Sequence, residues 1–236
     1  MSDEMKNHGS EKKYGQFHRR VFEAHIVNFA VWATIAILIG GIVEIVPMFT
    51  PAGTEISPDV TPYTALEVAG RDIYVSEGCY LCHSQWVRPM RAEILRYGPW
   101  SRAWEYQYDR PFQLGSRRIG PDLHRIGGKY PDAWHYEHMR DPRSTTPGSV
   151  MPPYAWLLTN RIDAGDVRAS MVALKKTGTP YTDEDIAGVE ESLAGQGGEI
   201  VGRLREAGIE SEPDRAIIAV IAYLQRLGLD GRAALQ

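Results

Sequence analysis

An all-α fold behind a single membrane-spanning helix is what this 236-residue chain predicts. Three observations carry that reading. An uncharged apolar run fills residues 26 to 43 and resumes after Glu44 through Phe49. Downstream, apolar residues recur at helical spacing in segments opened by capping residues and closed by glycine. Between them lie long loops rich in Gly, Pro and Arg, which read as insertions in a helical domain. The division is a tail at 1–25, an anchor helix at 26–49, a linker at 50–63 and a domain at 64–236.

Composition narrows the function. A net charge of −4 gives no general case for nucleic-acid binding. The chain has two cysteines, three positions apart, so no disulfide framework staples the fold.

The tail carries Lys12, Lys13, His18, Arg19 and Arg20. The 24 residues from Ile26 to Phe49 would extend about 36 Å as a helix, against a hydrocarbon core of about 30 Å. No Lys or Arg follows until Arg71, so the positive residues mark the N-terminus as cytoplasmic and the remainder as exported. A cleavable signal peptide has a shorter apolar core, about 7–15 residues, and a small-residue cleavage site. Pro47-Met48-Phe49-Thr50-Pro51 is a poor one, which favours an uncleaved anchor. Glu44 either reaches the outer interface or meets another transmembrane helix, and Gly40-Gly41 beside it would permit close approach. The linker, with Pro51, Pro58 and Pro62, should be extended.

A helix is predicted from Thr64, where Thr64-Ala65-Leu66-Glu67 fits a capping box and Leu66, Ala69, Gly70 and Ile73 share a face. It delivers Cys79-Tyr80-Leu81-Cys82-His83. C-x-x-C-H is the attachment signature of c-type haem. Each thiol adds across one vinyl group, and the histidine sits beneath the porphyrin as an axial ligand. A structural zinc site would want further Cys or His ligands, and a thioredoxin-like pair needs no following histidine. The expected cofactor is one covalently bound haem c. Its attachment takes place outside the bacterial cytoplasm, in agreement with the anchor.

Residues 84 to 119 carry seven arginines and seven aromatics against three acids. Such interleaving can suit single-stranded nucleic acid. On an exported haem domain it reads better as a partly buried segment that covers the haem edge and meets a partner, its arginines pairing with propionates or carboxylates. Gly120-Pro121-Asp122-Leu123 resembles the Gly-Pro-x-Leu turn of small c-type cytochromes, which implies a turn carbonyl that faces the axial histidine and fixes its ring. Pro131 to His138 reads as a short helix; His124, His135 and His138 read as exposed or structural. The thioether candidates for the other face of the iron are Met90, Met139, Met151 and Met171. Met151 is preferred because it lies in a loop stiffened by Pro152 and Pro153, whereas Met171 falls at a helical core position.

Residues 160 to 208 read as helical pieces broken by Gly178, Pro180, Gly195 and Gly197-Gly198, with a helix start at Thr182. The last helix runs from about Pro213 to Leu227, with Ile217, Val220, Ile221, Leu224 and Leu227 on one stripe. In class I cytochromes c a terminal helix of this kind crosses the first one, aromatic against glycine. Tyr223 and Gly70 are the candidates, so the domain is expected to be class I cytochrome c-like with long loop insertions.

Gly-Gly-Ile-Val-Glu-Ile-Val-Pro, Gly-Cys-Tyr-Leu-Cys-His-Ser-Gln, Gln85-Trp86-Val87-Arg88-Pro89, Tyr108-Asp109-Arg110-Pro111-Phe112-Gln113 and Met151-Pro152 together resemble the mono-haem subunit of cbb3-type cytochrome c oxidases, the FixO or CcoO subunit. The resemblance covers nearly the whole chain beyond the first dozen residues. It implies an electron-transfer subunit in the bacterial inner membrane, with its haem domain in the periplasm. Electrons would pass from the di-haem cytochrome subunit, or a donor cytochrome, to haem b of the haem–copper catalytic subunit, where oxygen is reduced. It also implies Cys79 and Cys82 for attachment, His83 as proximal ligand and Met151 as distal ligand, closing the iron to oxygen. The alternatives are the anchored cytochrome subunit of a nitric oxide reductase, a stand-alone haem enzyme with an exchangeable ligand, and a tethered shuttle outside any stable complex.

Overall fold

The computed structural model describes residues 18–20, 24–48, 57–115 and 117–234. Most of the tail, Phe49 and the first half of the linker lie outside the described residues. The chain forms two units, Met1–Thr54 and Glu55–Gln236.

The first unit contains α1, Ile26–Met48. Its 23 residues give a length of about 35 Å. Val27, Trp32, Ile37, Ile39 and Val43 point outward in different directions and all stay exposed. A helix that is apolar all round, with its apolar side chains exposed, needs an apolar surrounding. It is long and apolar enough to cross a membrane. Pro47 sits in its last turn.

The second unit is helical, with no strand among the described residues. Its helices are α2 (Ala65–Ser76), α3 (Arg91–Tyr97), α4 (Asp132–Arg140), α5 (Pro142–Thr145), α6 (Ala164–Lys176), α7 (Asp183–Ala187), α8 (Val189–Glu206), α9 (Ala216–Arg226) and α10 (Leu229–Ala234). Single 3₁₀ turns occur at Cys79–Leu81, Ala103–Tyr106 and Ala155–Leu158.

Helix α2 starts at the expected capping box: Glu67 N–H donates to Thr64 Oγ1 at 3.3 Å, and Thr64 N–H donates to Glu67 Oε2 at 2.9 Å. The core forms where α2 crosses α9. Position 70 is at the crossing, and a Cβ there would overlap the Ala219 carbonyl and lie 2.8 Å from Tyr223 Cβ. Glycine is the residue that allows these backbones so close. The Tyr223 ring then fits between Tyr63 and Tyr74, with centroids at 5.8 and 5.3 Å. Leu66, Val68, Ile217, Ile218 and Ile221 are fully buried around it. Burying each such side chain contributes about 1.5–3 kcal/mol before entropy is charged.

One expectation is corrected. The glycines at 195, 197 and 198 do not break the chain, because α8 runs through all three. Its buried face of Val189, Leu193, Gly197, Ile200, Val201 and Leu204 packs on the core, and that packing outweighs a glycine cost of about 1 kcal/mol each. Gly197 has a use there, since a Cβ would come within 2.7 Å of the Pro213 carbonyl oxygen. The second half of the Pro-rich stretch is fastened to the domain. Ser57 and Gln107 exchange two 3.0 Å hydrogen bonds, Val60 is buried, and Arg226 donates to the Thr61 carbonyl at 3.0 Å. The last helix starts three residues later than Pro213, at Ala216.

Candidate haem-attachment site

The motif is presented by one turn of chain. Helix α2 ends at Ser76, and Gly78 turns left-handed with φ 70°, where a side chain would be strained. Cys79–Leu81 forms a 3₁₀ turn, and the N–H groups of Cys82 and His83 both donate to the Cys79 carbonyl, at 3.1 and 2.9 Å. Both thiols are free, Cys79 half-buried and Cys82 exposed. Burial pushes the Cys79 thiol up to about 12, so it is a neutral thiol.

The imidazole of His83 is fixed from below. Its Nδ1 lies 2.8 Å from the Pro121 carbonyl oxygen. That oxygen can only accept, so Nδ1 carries the proton and Nε2 the lone pair. Burial holds the ring below its ordinary pKa, against the opposing pull of the Pro121 bond, which keeps it neutral. Gly120 lies flat on the ring, where a Cβ would sit 2.6 Å from Nδ1.

The segment that carries Pro121 is itself clamped to the motif. Gly120 N–H donates to the Cys82 carbonyl at 3.0 Å and Leu123 N–H to the Ser84 carbonyl at 2.8 Å. Buried Asp122 takes the Ser84 hydroxyl at 2.6 Å, Trp86 N–H at 2.7 Å and His124 N–H at 2.9 Å. Asp122 was not singled out from the sequence, although it stands inside the Gly-Pro-x-Leu turn. A carboxylate one residue past a ligand-orienting proline is the signal that would have found it.

The arginine-rich segment is folded around its three acids, all with buried side chains. Glu93 pairs with Arg88 and Arg118, Glu105 with Arg125, and Asp109 with Arg71. Arg118 and Arg88 hold the Glu93 carboxyl at about 2. Gln85 joins the segment to the core through a 3.0 Å bond to the Tyr223 hydroxyl. His124 is buried in this network, 3.1 Å from the Tyr106 hydroxyl and stacked on its ring. His135 is buried on α4, and its Nε2 has no hydrogen-bond partner among the described residues. His138 Nδ1 meets Thr145 Oγ1 at 2.6 Å.

The four thioethers separate by environment. Met139 and Met171 are core residues, and Met90 is exposed beside α3. Met151 is partly buried against the core, at a loop fastened at two points. Tyr154 N–H donates to the Met139 carbonyl at 2.8 Å, and Trp156 Nε1–H donates to Glu77 Oε1 at 3.1 Å, two residues ahead of Cys79.

The family described as cytochrome c oxidase, mono-heme subunit/FixO matches residues 18–230. The chain belongs to that family. No curated protein matches the chain. As a FixO-type mono-haem subunit it goes with one haem, and the residues at the motif fit that group. They offer two free thiols one turn apart, and beside them a neutral imidazole whose Nε2 is left as a donor by the Pro121 bond.

Proposed function

We propose that this FixO-family chain is the electron-relay subunit of a cbb3-type terminal oxidase. Its haem would be held covalently by Cys79 and Cys82, with His83 as proximal ligand and Met151 as distal ligand. The observation that carries the reading is the His83 Nδ1–Pro121 contact of 2.8 Å directly after a C-x-x-C pair, in a member of a mono-haem oxidase-subunit family.

When bound, the haem supplies a one-electron couple, and His/Met ligation raises its potential. The chain's own residues set the conditions for that couple. Pro121 fixes the histidine tautomer and raises its basicity as a ligand. Gly120 sets the ring plane by contact, and Asp122 locks together the two segments that hold the ring. Met151, on a loop fastened at Tyr154 and Trp156, would supply the second protein ligand. With both His83 and Met151 bound, the haem would serve electron transfer and leave oxygen chemistry to another subunit.

The partners in this reading are the haem–copper catalytic subunit and the di-haem cytochrome subunit. The apolar α1 supports a single-pass anchor in the bacterial cell membrane. The basic tail supports a cytoplasmic N-terminus and a periplasmic haem domain.

Extraction of the chain in mild detergent, followed by identification of the subunits that remain with it, tests the assignment. A haem–copper catalytic subunit is the expected companion. Its absence would sink the oxidase reading.

A further inference from the structure

Helix α3 and the residues around it turn a mixed apolar and cationic face to the outside. Leu95 is 77% exposed, Ile119 62%, Met90 50% and Trp86 43%. A cleft of about 410 Å³ opens beside them, lined by Arg88, Arg96 and Arg118 with Glu93 as the opposing charge. Three guanidinium groups against one carboxylate leave the cleft with a charge of +2. Gly120 and Pro121, the residues that orient His83, form part of its wall.

The cleft is pre-shaped. Glu93 fixes both Arg88 and Arg118, and Arg118 also donates to Ser84 Oγ at 2.8 Å and to the Trp86 carbonyl at 2.7 Å. Arg96 stands on the rim, over the ring of Tyr97 at 5.1 Å. Exposed aromatic, Met and Arg residues around a concave centre are the composition of protein interfaces. Arginines held in a fixed fork match a carboxylate in a way that flexible surface cations do not.

We propose that this face docks a partner protein, one acidic side chain of which enters the cleft between Arg88, Arg96 and Arg118. Apolar residues of the same partner cover Met90, Leu95 and Ile119. The partner is thereby seated against Gly120 and Pro121, one hydrogen bond from the His83 ring. This names the contact surface of the subunit in the function proposed above and rests on that reading for the partner's identity.

The test uses the full chain in its native membrane, with the photo-crosslinker p-benzoylphenylalanine at position 95 and, as a control, at exposed position 199 on α8. Irradiation should join position 95, and not 199, to one polypeptide at a segment containing Asp or Glu. Arg96→Glu should lower that yield about tenfold, because a carboxylate then faces a carboxylate. Adducts to phospholipid alone, equal adducts from both positions, or a yield untouched by Arg96→Glu would overturn the proposal. If a haem–copper subunit co-purifies while position 95 stays unlinked, the docking face is wrong and the oxidase assignment stands. If position 95 links to an acidic segment in a preparation without that subunit, the docking face stands and the assignment falls.

Discussion

The His83 imidazole and the Pro121 carbonyl are joined by a 2.8 Å hydrogen bond, and Gly120 lies against the same ring. The position of the free ring nitrogen, Nε2, is therefore set by a segment that begins 37 residues downstream of His83. Gly120→Ala would place a methyl group 2.6 Å from Nδ1, so the ring must tilt or the segment must lift. Overpacking of this kind costs about 1–3 kcal/mol. The expected outcome is a lower yield of haem-loaded chain and an altered Soret band, read by absorption spectroscopy of the purified subunit. A spectrum identical to that of the parent would show that the contact does not position the ligand.

Gly70→Ala tests the helix crossing in the same way. The added methyl group overlaps the Ala219 carbonyl, and neither backbone can move without opening the packing around Tyr223. A loss of at least about 1–3 kcal/mol is expected. For a domain of this size that lowers the melting temperature by about 2–4 °C per kcal/mol. Thermal denaturation followed by circular dichroism measures it.

Gly70 was legible because a helix offering Gly on its core face marks a close approach. The Gly120-Pro121 turn was legible for its carbonyl, through its likeness to the turn of small c-type cytochromes, and not for the contact of Gly120 with the ring. The capping box at Thr64 was legible for a local reason, since all its atoms lie within four residues. The continuity of α8 through Gly195, Gly197 and Gly198 was not, because the packing that holds it comes from elements far along the chain. The same applies to the acids of the arginine-rich segment. Arg71 meets Asp109 and Arg125 meets Glu105 only after folding, so the segment's excess of arginine hides the fact that its few carboxylates form its centre.

Acid stability should depend on His135. Burial lowers this histidine to about 4, with Asp132 pulling upward and His138 pushing further down. Tyr130 and Trp134 supply the ring contacts around it. In the unfolded chain it titrates near 6.5, so between pH 6.5 and 4 the unfolded state binds more protons and stability falls as pH falls. The contribution is at most about 3 kcal/mol. Buried His124, also held well below its ordinary value, acts with the same sign. His135→Phe should flatten the fall of melting temperature between pH 6.5 and 4, leaving the parts due to His124, His83 and His138, which burial also holds low. An unchanged slope would contradict the assignment.

Met151→Ala tests the proposal that this thioether is the distal ligand. Loss of the thioether should lower the potential and open a coordination position. Redox titration and carbon monoxide difference spectra of the reduced variant read both effects. If potential and spectrum match the parent, the ligand is elsewhere, and Met139 would be the next thioether to replace.

In the proposed function this chain carries electrons to an oxygen-reducing subunit and binds no oxygen itself. Time-resolved absorption of the fully reduced intact complex, mixed with oxygen, follows the haem of this subunit directly. This haem should be reoxidised at least as fast as the enzyme turns over, and it should show no ligand-bound spectrum at any time. A haem that stays reduced while oxygen is consumed, or one that binds oxygen or carbon monoxide in the native protein, would contradict it.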